Sequence, residues 1–167
     1  KPVLYVCNVD EESILTGNNY VEEVKKSIKD EFAEIIILAA GIESEINELS
    51  EHEERKMFLN DLGLDEPGSN KLIKSTYSLL SLHTYFTAGI KEVRAWTIPI
   101  GSKASQAAGV IHSDFEKGFI KTEVISYSDY IGYGSELKAK EAGKMRIEGK
   151  DYVVNDGDVM HFLFNVW

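Results

Sequence analysis

Residues 93–124 constrain the fold of this chain more than any other segment. They begin with an apolar run at 93–100 that ends at the turn residues Gly101 and Ser102, and a second apolar run starts at Phe119. Small residues, including two alanines and a glycine, fill much of the segment between the runs. Apolar runs bounded by turn residues are typical of strands, and small residues suit a helical turn packed against them. Strands and a helical turn this close together predict a compact α+β unit.

The rest of the second half continues this pattern. Its apolar runs and turn residues predict a short helix at 136–142, a tyrosine- and glycine-rich connection at 127–134, and strands at 84–87, 93–98, 119–126, 152–154 and 159–166. We expect these elements to share one core. Its predicted members are Val93, Trp96, Ile98, Ile111, Phe119, Ile120, Val124, Val153, Val159, Phe162 and Phe164.

The first half predicts a βαβ unit instead. Residues 3–7 and 35–40 are typical of buried strands, and Asn18 is a residue type that caps helices. The helix between the strands has apolar residues at spacings of three and four, namely Val21, Val24, Ile28 and Phe32. A crossover of this length joins parallel strands. Farther along, residues 43–62 predict one acidic helix and residues 70–82 an amphipathic one.

Charge divides the chain in the same place as the predicted elements. The formal net charge is −10, and the first 82 residues hold 17 acidic and 8 basic residues, against 11 and 10 in the rest. This asymmetry predicts a domain boundary near Leu82. An acidic first half repels nucleic acid, so any contact with RNA must use local patches of the second half.

Other features of the composition narrow the class of protein. The longest apolar run, residues 35–42, is far shorter than the ~18 residues of a membrane helix, so we expect no membrane partner. Cys7 is the single cysteine, which excludes an internal disulfide and predicts a reducing, intracellular compartment. The chain opens on Lys1 and Pro2 without a methionine, and we interpret it as a piece of a longer protein.

The loop after the first predicted strand is a candidate ligand site. It reads Asn8-Val9-Asp10-Glu11, and open α/β sheets bind ligands at the carboxyl ends of their strands. An amide and a carboxylate there can offer hydrogen bonds to a nucleotide base. The alternative is a polar loop in which Asn8 bonds only local backbone. Ala39, Ala40 and Gly41 end the neighbouring strand and either admit a ligand or make a tight turn.

His112, Asp114 and Glu116 offer a metal-binding or acid–base interpretation. No second histidine or cysteine lies nearby in sequence, so we favour a loop locked by hydrogen bonds and predict no metal site and no catalytic residue. Cys7 is expected to be a buried small apolar residue. Tyrosines 127, 130 and 133 either stack on RNA bases or serve the fold.

No complete phosphate-binding loop occurs in the 167 residues. Gly101-Ser102-Lys103 resembles the end of G-x-x-x-x-G-K-[ST], but Trp96 and Ala104 stand where the pattern needs Gly and Ser or Thr. We therefore expect no cofactor of its own and no nucleotide hydrolysis by this chain alone.

A basic cluster stands out in the second half. It has only two acidic residues within it, and its members are Lys138, Lys140, Lys144, Arg146 and Lys150. One interpretation is a solvated surface, and the other is a surface that binds phosphate groups of RNA or of the ribosome.

The chain also resembles a known family, the YchF or Obg-like ATPases, over essentially its whole length. In the second half the likeness rests on 84–89, 91–99, 107–109 with 111–112, 114–120, 140–146, 148–152, 156–160 and 162–166. In the first half it rests on 1–2, Asn8 with Glu11, Ala39-Ala40, 62–64 and 66–68.

The resemblance implies a parent protein that is a cytoplasmic P-loop ATPase or GTPase using ATP or GTP with Mg²⁺. Residues 1–83 would then be the C-terminal part of its α/β G domain, and residues 84–167 a TGS domain with a ubiquitin-like β-grasp fold. Asn8, Val9, Glu11, Ala39 and Ala40 would contact the nucleotide base.

By the same resemblance, the basic cluster would contact the ribosome or structured RNA, and protein partners are possible. The alternative is a stand-alone regulatory module of the TGS type that binds protein and has no nucleotide role.

Overall fold

The structure is a computed structural model that describes residues 1–31 and 33–165. It is an α+β protein, as the sequence predicts, and it divides into two compact units, unit 1 up to Leu80 and unit 2 from Ser81 onward. Each unit has its own apolar core. In the described part of the chain, no helix combines the length and apolar character needed to cross a bilayer.

Unit 1 is built on two parallel strands with helices around them. Its elements are β1 (Leu4–Asn8), a 3₁₀ turn (Glu11–Ser13), α1 (Asn19–Ser27), β2 (Glu34–Leu38), α2 (Ala40–Glu48), α3 (His52–Asp61) and α4 (Gly68–Leu79). The strands pair in register from Leu4 opposite Glu34 to Asn8 opposite Leu38, which confirms the predicted parallel βαβ unit. Both strands therefore end at the same edge of the sheet.

The predicted cap of α1 is confirmed. The Asn18 side-chain oxygen accepts hydrogen bonds from the backbone N–H groups of Tyr20, at 3.1 Å, and Val21, at 3.2 Å. Val21 and Ile28 are buried, as their spacing predicts. Phe32, the last member of that pattern, lies outside the described residues.

The prediction of one acidic helix over residues 43–62 is wrong, because the segment forms two helices. Leu49 and Glu51 are extended, and they separate α2 from α3. Ile46 and Leu59 both pack in the core of unit 1. In one straight helix these two residues would lie on roughly opposite sides, so burying both requires a change of direction. Arg55 of α3 stabilises the break by donating from Nε to the carbonyl oxygen of Leu49, at 2.7 Å.

Unit 2 is a five-stranded mixed sheet with helices. Its elements are β3 (Leu82–Ala88), β4 (Val93–Pro99), α5 (Ala104–Ile111), α6 (Ser113–Lys117), β5 (Phe119–Ser126), α7 (Tyr127–Tyr133), α8 (Glu136–Glu141), β6 (Arg146–Glu148) and β7 (Asp158–Phe164). The strand order is β4-β3-β7-β5-β6. β3 and β7 are parallel, and the other neighbours are antiparallel.

Two predicted elements of unit 2 differ in the structure. Residues 127–133 form helix α7 and not an irregular connection, because Ser126 caps the helix start and Gly134, at φ 73°, ends it. Residues 152–154 form no strand, and Val153 makes only an isolated bridge with Lys103.

The core of unit 2 lies between the sheet and α5. Ile98, Val124, Val159 and Phe162 are buried as predicted. Trp96, Ile111, Phe119 and Phe164 are partly buried and pack against this core. The sequence patterns did not identify its most buried large members, Tyr85 and Met160.

Three of the predicted core residues are exposed. Val93 alternates with the inward residues of β4 and so points to the other face of that strand. Ile120 lies at a register shift between Phe119 and Lys121, which turns it outward. Val153 is half exposed while its neighbour Val154 is buried.

Tyr85 joins the sheet to helix α5. Its side chain is 0% exposed and its hydroxyl donates to the carbonyl oxygen of Ala107, at 2.8 Å. The ring packs edge-on against Phe162, with 5.8 Å between ring centroids, and stacks beside Trp96. Burial raises the pKa of the Tyr85 hydroxyl, because the charged form would lose its hydration.

We predict that Tyr85→Phe lowers the free energy of unfolding at neutral pH by about 1–2 kcal/mol, since it removes a buried hydrogen bond but keeps the ring. Urea unfolding of wild type and variant measures this difference. Tyr133→Phe, at a side chain that is 38% exposed, is the control and should have little effect.

The pH dependence provides a second check on the same substitution. Below the ordinary tyrosine pKa of 10.0, both folded and unfolded states keep the hydroxyl proton. Above that pH the unfolded state ionises first, so the wild type loses stability as pH rises, and Tyr85→Phe should lose less. An equal loss in both proteins would contradict the buried hydroxyl.

Candidate functional site

Asn8 and the turn after β2 meet at the carboxyl edge of the parallel pair. The side-chain oxygen Oδ1 of Asn8 accepts a hydrogen bond from the backbone N–H of Ala40, at 2.9 Å. The neighbouring backbone is also fixed, because the N–H of Val9 donates to the carbonyl oxygen of Leu38, at 2.9 Å. The structure therefore brings together three of the predicted site residues, Asn8, Val9 and Ala40, in one place.

Asn8 is not merely a loop residue that bonds its local backbone. Its partner Ala40 is 32 positions away and starts helix α2. Ala39, at the N-cap position, has no side chain that could cap this helix, so the Asn8 amide oxygen supplies the missing acceptor. Since Oδ1 is used in this way, the Nδ2 group of Asn8 is the part of the amide available to a ligand.

Glu11 lies in a turn that follows this amide. The 3₁₀ turn at residues 11–13 is capped by Asp10, whose carboxylate accepts from the N–H of Ser13, at 3.0 Å. Asp10 is therefore occupied with the loop backbone, while Glu11 is exposed. Asn8 and Glu11 are both exposed, whereas Ala39 is almost completely buried. The arrangement presents one amide donor and one carboxylate acceptor to solvent at the end of the sheet.

Glu43 supports this edge from one turn into α2. Its carboxylate accepts from the N–H groups of Gly68, at 2.6 Å, and Ser69, at 3.1 Å, which begin helix α4. A Cβ built on Gly68 would lie 2.9 Å from the Cβ of Leu38, so the start of α4 lies directly against the last residue of β2. Sequence reasoning missed Glu43. Two features of the sequence could have pointed to it. Glu43 is a carboxylate in the first turn of α2, and α4 begins after Pro67, whose side chain cannot accept a hydrogen bond from the start of that helix.

The second candidate group, around His112, is a helix start. The Nδ1 atom of His112 accepts from the N–H of Asp114, at 3.2 Å, and the Asp114 carboxylate lies 3.6 Å from the same atom. Glu116 packs beside Gly109, where a Cβ would overlap it. These contacts fit a loop locked by hydrogen bonds. No cluster of three or more possible metal ligands occurs among residues 1–31 and 33–165.

The basic cluster is exposed, but most of its charges lie near carboxylates. Lys144 Nζ lies 3.5 Å from Asp129, Lys140 Nζ lies 3.9 Å from Glu123, and Arg146 lies near Glu148 and Asp158. Within the described part of the chain, Lys138 has no such carboxylate neighbour. Lys138 and Lys140 are two positions apart on α8 and so project in different directions. The cluster is therefore not one continuous patch of free charge.

Arg146 belongs to a structural network around Tyr152. The Tyr152 hydroxyl donates to Asp158, at 2.7 Å, and accepts from Arg146 Nη2, at 3.1 Å, and Asn155 Nδ2, at 2.9 Å. Burial, followed by the bond to Asp158, raises the pKa of Tyr152. Asp158 is only 3% exposed, so the guanidinium of Arg146 also compensates a buried carboxylate.

Other single residues show little sign of a site. Cys7 is partly buried within β1. Tyr127 packs against Phe86, with 5.8 Å between ring centroids, and is also about half exposed. Tyr130 is partly buried and Tyr133 is exposed, so the three tyrosines do not share one environment.

Known proteins resemble the chain over its whole length. A family model named YchF-GTPase_C, described as "Protein of unknown function (DUF933)", matches residues 82–165. The Ribosome-binding ATPase YchF of Pasteurella multocida is 57% identical over 166 residues, which are 99% of this chain and 45% of that protein. The protein of the same name from Bacillus subtilis is 55% identical over 168 residues, 99% of this chain and 46% of that protein.

A solved structure agrees with these matches. The structure of the Schizosaccharomyces pombe YchF GTPase matches with a TM-score of 0.82 and 37% identity. The match covers 98% of this chain and 43% of the Schizosaccharomyces pombe chain. The chain thus spans less than half the length of the relatives that it matches.

The contact between Gly68 and Leu38 generates a prediction. Gly68→Ala should lower the free energy of unfolding by about 1–3 kcal/mol, because the new methyl group would overlap Leu38 and Glu43 in a packed site. Gly41→Ala in α2 is the matched control, since a Cβ there meets nothing within 4 Å. It should stabilise the protein by up to about 1 kcal/mol. Thermal or urea unfolding measures both, and equal effects would contradict the close approach.

Proposed function

This chain belongs to the YchF family, and on that premise we propose that it reads the nucleotide base and docks on the ribosome for a P-loop ATPase or GTPase. The names of the relatives support this proposal, since they are ribosome-binding ATPases and a GTPase. They match both units, which gives no support to a stand-alone module without a nucleotide role. Ribosome binding would place the protein in the cytoplasm.

The motifs present in the 167 residues indicate which part of the nucleotide this chain would contact. They include no complete phosphate-binding loop, so ATP or GTP and Mg²⁺ would be held by parts of the protein outside this chain. Residues 1–83, which include unit 1, would be the C-terminal part of the G domain and would contribute only the base site. The chain alone does not hydrolyse nucleotide in this proposal.

The observation that carries the base-reading role is the bond between Asn8 and Ala40. It fixes the Asn8 amide at the carboxyl edge of two parallel strands, the usual place for a ligand in an open α/β sheet. Asn8 Nδ2 would donate to the base, Glu11 would accept from it, and Val9, Ala39 and Ala40 would form the floor. Their small or apolar side chains leave room for a flat ring close to the backbone.

The sequence of this loop favours adenine. Guanine-specific relatives use N-K-x-D, whereas this chain has Val9 in place of Lys and Glu11 in place of Asp. A short aspartate can accept from both N–H donors on the edge of guanine, and the longer glutamate cannot occupy the same position.

We predict that Val9→Lys with Glu11→Asp shifts binding toward GTP by about 1–2 kcal/mol, the size of a gained hydrogen bond to a charged group. The test is the ratio of ATP to GTP affinity in a full-length family protein that carries this chain. Glu12→Asp, at an exposed glutamate of the same turn, is the control and should leave the ratio unchanged. An unchanged ratio in the double variant would refute the role of this loop.

Residues 84–167, which make up most of unit 2, would be a TGS domain with a β-grasp fold. Its strand order, with the first hairpin beside the last strand and α5 packed against the sheet, supports this assignment. In the proposed docking on the ribosome or structured RNA, the basic cluster is the surface that meets phosphate groups. Because Arg146 lies beside the buried Asp158, the exposed lysines of the cluster, and not Arg146, would make these contacts.

We predict that changing Lys138, Lys140, Lys144 and Lys150 to Gln weakens ribosome binding in a salt-dependent way. Each lost phosphate contact should make the slope of log affinity against log salt shallower by about 0.7–0.9. Arg146 is kept, because removing it would leave the buried Asp158 uncompensated. Co-sedimentation with ribosomes across a KCl series measures the slope.

The control for this experiment neutralises lysines of unit 1. Lys26, Lys29 and Lys71 are exposed, and their change to Gln should leave the slope unaltered. Equal binding by the cluster variant and the wild type would mean that the basic cluster is only a solvated surface.

A further inference from the structure

The base site of the proposed function depends on where the backbone N–H of Ala40 points. That group holds Oδ1 of Asn8 and thereby decides the direction of the Asn8 Nδ2 donor. Ala40 is the first residue of α2, and helix ends are the parts of a helix that fray. Contacts from outside α2 must therefore hold its first turn in position.

Two contacts meet the start of α4, one from the last residue of β2 and one from the first turn of α2. The backbone N–H of Glu43 donates to the carbonyl oxygen of Ala39, at 3.0 Å, so Glu43 closes the turn that contains Ala40. Its carboxylate then binds the N–H groups of Gly68 and Ser69. The backbone of Gly68 lies close to Leu38, the residue immediately before Ala39, since a Cβ added at Gly68 would be 2.9 Å from the Cβ of Leu38.

This geometry fixes the turn from both ends. Leu38 precedes the turn and lies close to Gly68, and Glu43 ends the turn and binds the N–H groups of Gly68 and Ser69. Helix α4 in turn packs against β1 and β2. A shift of Glu43 would therefore move the Ala40 N–H relative to Asn8, which lies at the end of β1.

Glu43 itself does not reach the exposed face of the site. It is half-buried, and its carboxylate oxygens are occupied by α4. A residue placed in this way can affect a ligand only through the backbone that it holds. A plain structural role in capping α4 would give no preference for one part of the nucleotide over another.

We propose that Glu43 is a positioning residue for base recognition, acting through the Ala39–Ala40 turn on the amide of Asn8. The inference rests on the proposed function, because it assumes that Asn8 contacts the base. It predicts that loss of the Glu43 carboxylate weakens contacts to the base and leaves contacts to the triphosphate unchanged.

The experiment compares two ligands, ATP and ribose 5-triphosphate, which has the same phosphates but no base. Their affinities are measured by calorimetry for a full-length family protein that carries this chain. Glu43→Ala should weaken ATP binding by about fivefold, the loss expected for one hydrogen bond, and leave ribose 5-triphosphate unchanged. Glu43→Gln should weaken it less, since one oxygen still accepts from Gly68. Glu45→Ala, an exposed glutamate of the same helix, should change neither affinity.

The outcomes separate this inference from the function on which it rests. If Glu43→Ala weakens the binding of both ligands equally, Glu43 has a purely structural role and the inference is overturned. The inference is also overturned if Glu43→Ala does not weaken ATP binding. Asn8→Ala tests the base site itself. If it weakens ATP selectively while the Glu43 variants do not, only the positioning role fails.

If Asn8→Ala also leaves the ratio of the two affinities unchanged, the proposed base site fails with it. Glu43→Gln keeps the size of the side chain and carries the test if the alanine variant does not fold.

Discussion

The first N–H groups of a helix have no partner within that helix, and unit 1 is organised by how two of its helices meet this requirement. Neither Ala39 nor Pro67 can cap the helix that it precedes. Asn8 supplies the acceptor for α2 from the neighbouring strand, and Glu43 supplies it for α4 from α2. These three hydrogen bonds link β1 to α2 and α2 to α4, so satisfying helix ends also fixes the relative positions of three elements.

Caps of this kind mark the limit of what the sequence predicts. Asn18 immediately precedes its helix, and its role follows from residue type and position. Asn8 and Glu43 lie 32 and 25 positions from their partners, and no local pattern joins such residues. The strand ends were predictable because parallel strands finish at one edge, which brings Asn8 and Ala40 together. The break between α2 and α3 was not, because it depends on which face of each helix the core accepts.

In unit 2, too, features set by the local sequence were predictable and features set by distant residues were not. Strands β3, β4, β5 and β7 and most of the core follow from apolar runs in the sequence, whereas β6 was not predicted and the outward turn of Ile120 depends on an irregular register with a distant strand. The basic cluster shows the limit for charge. Sequence counts its cations correctly, but it does not show that Arg146 lies beside Asp158, a buried carboxylate twelve positions away. The density of charge along a chain therefore overstates the charge that a surface offers to a partner.

The amide of Asn8 has a consequence for how base preference in such a site could change. Its oxygen belongs to the fold and its nitrogen, on the proposed assignment, belongs to the ligand. Aspartate at this position would keep the acceptor but lose the donor, and a longer glutamine would displace both groups. The position therefore has almost no freedom to vary. Any drift in nucleotide preference within this architecture would have to occur at the Glu11 side of the loop, where the side chain is exposed.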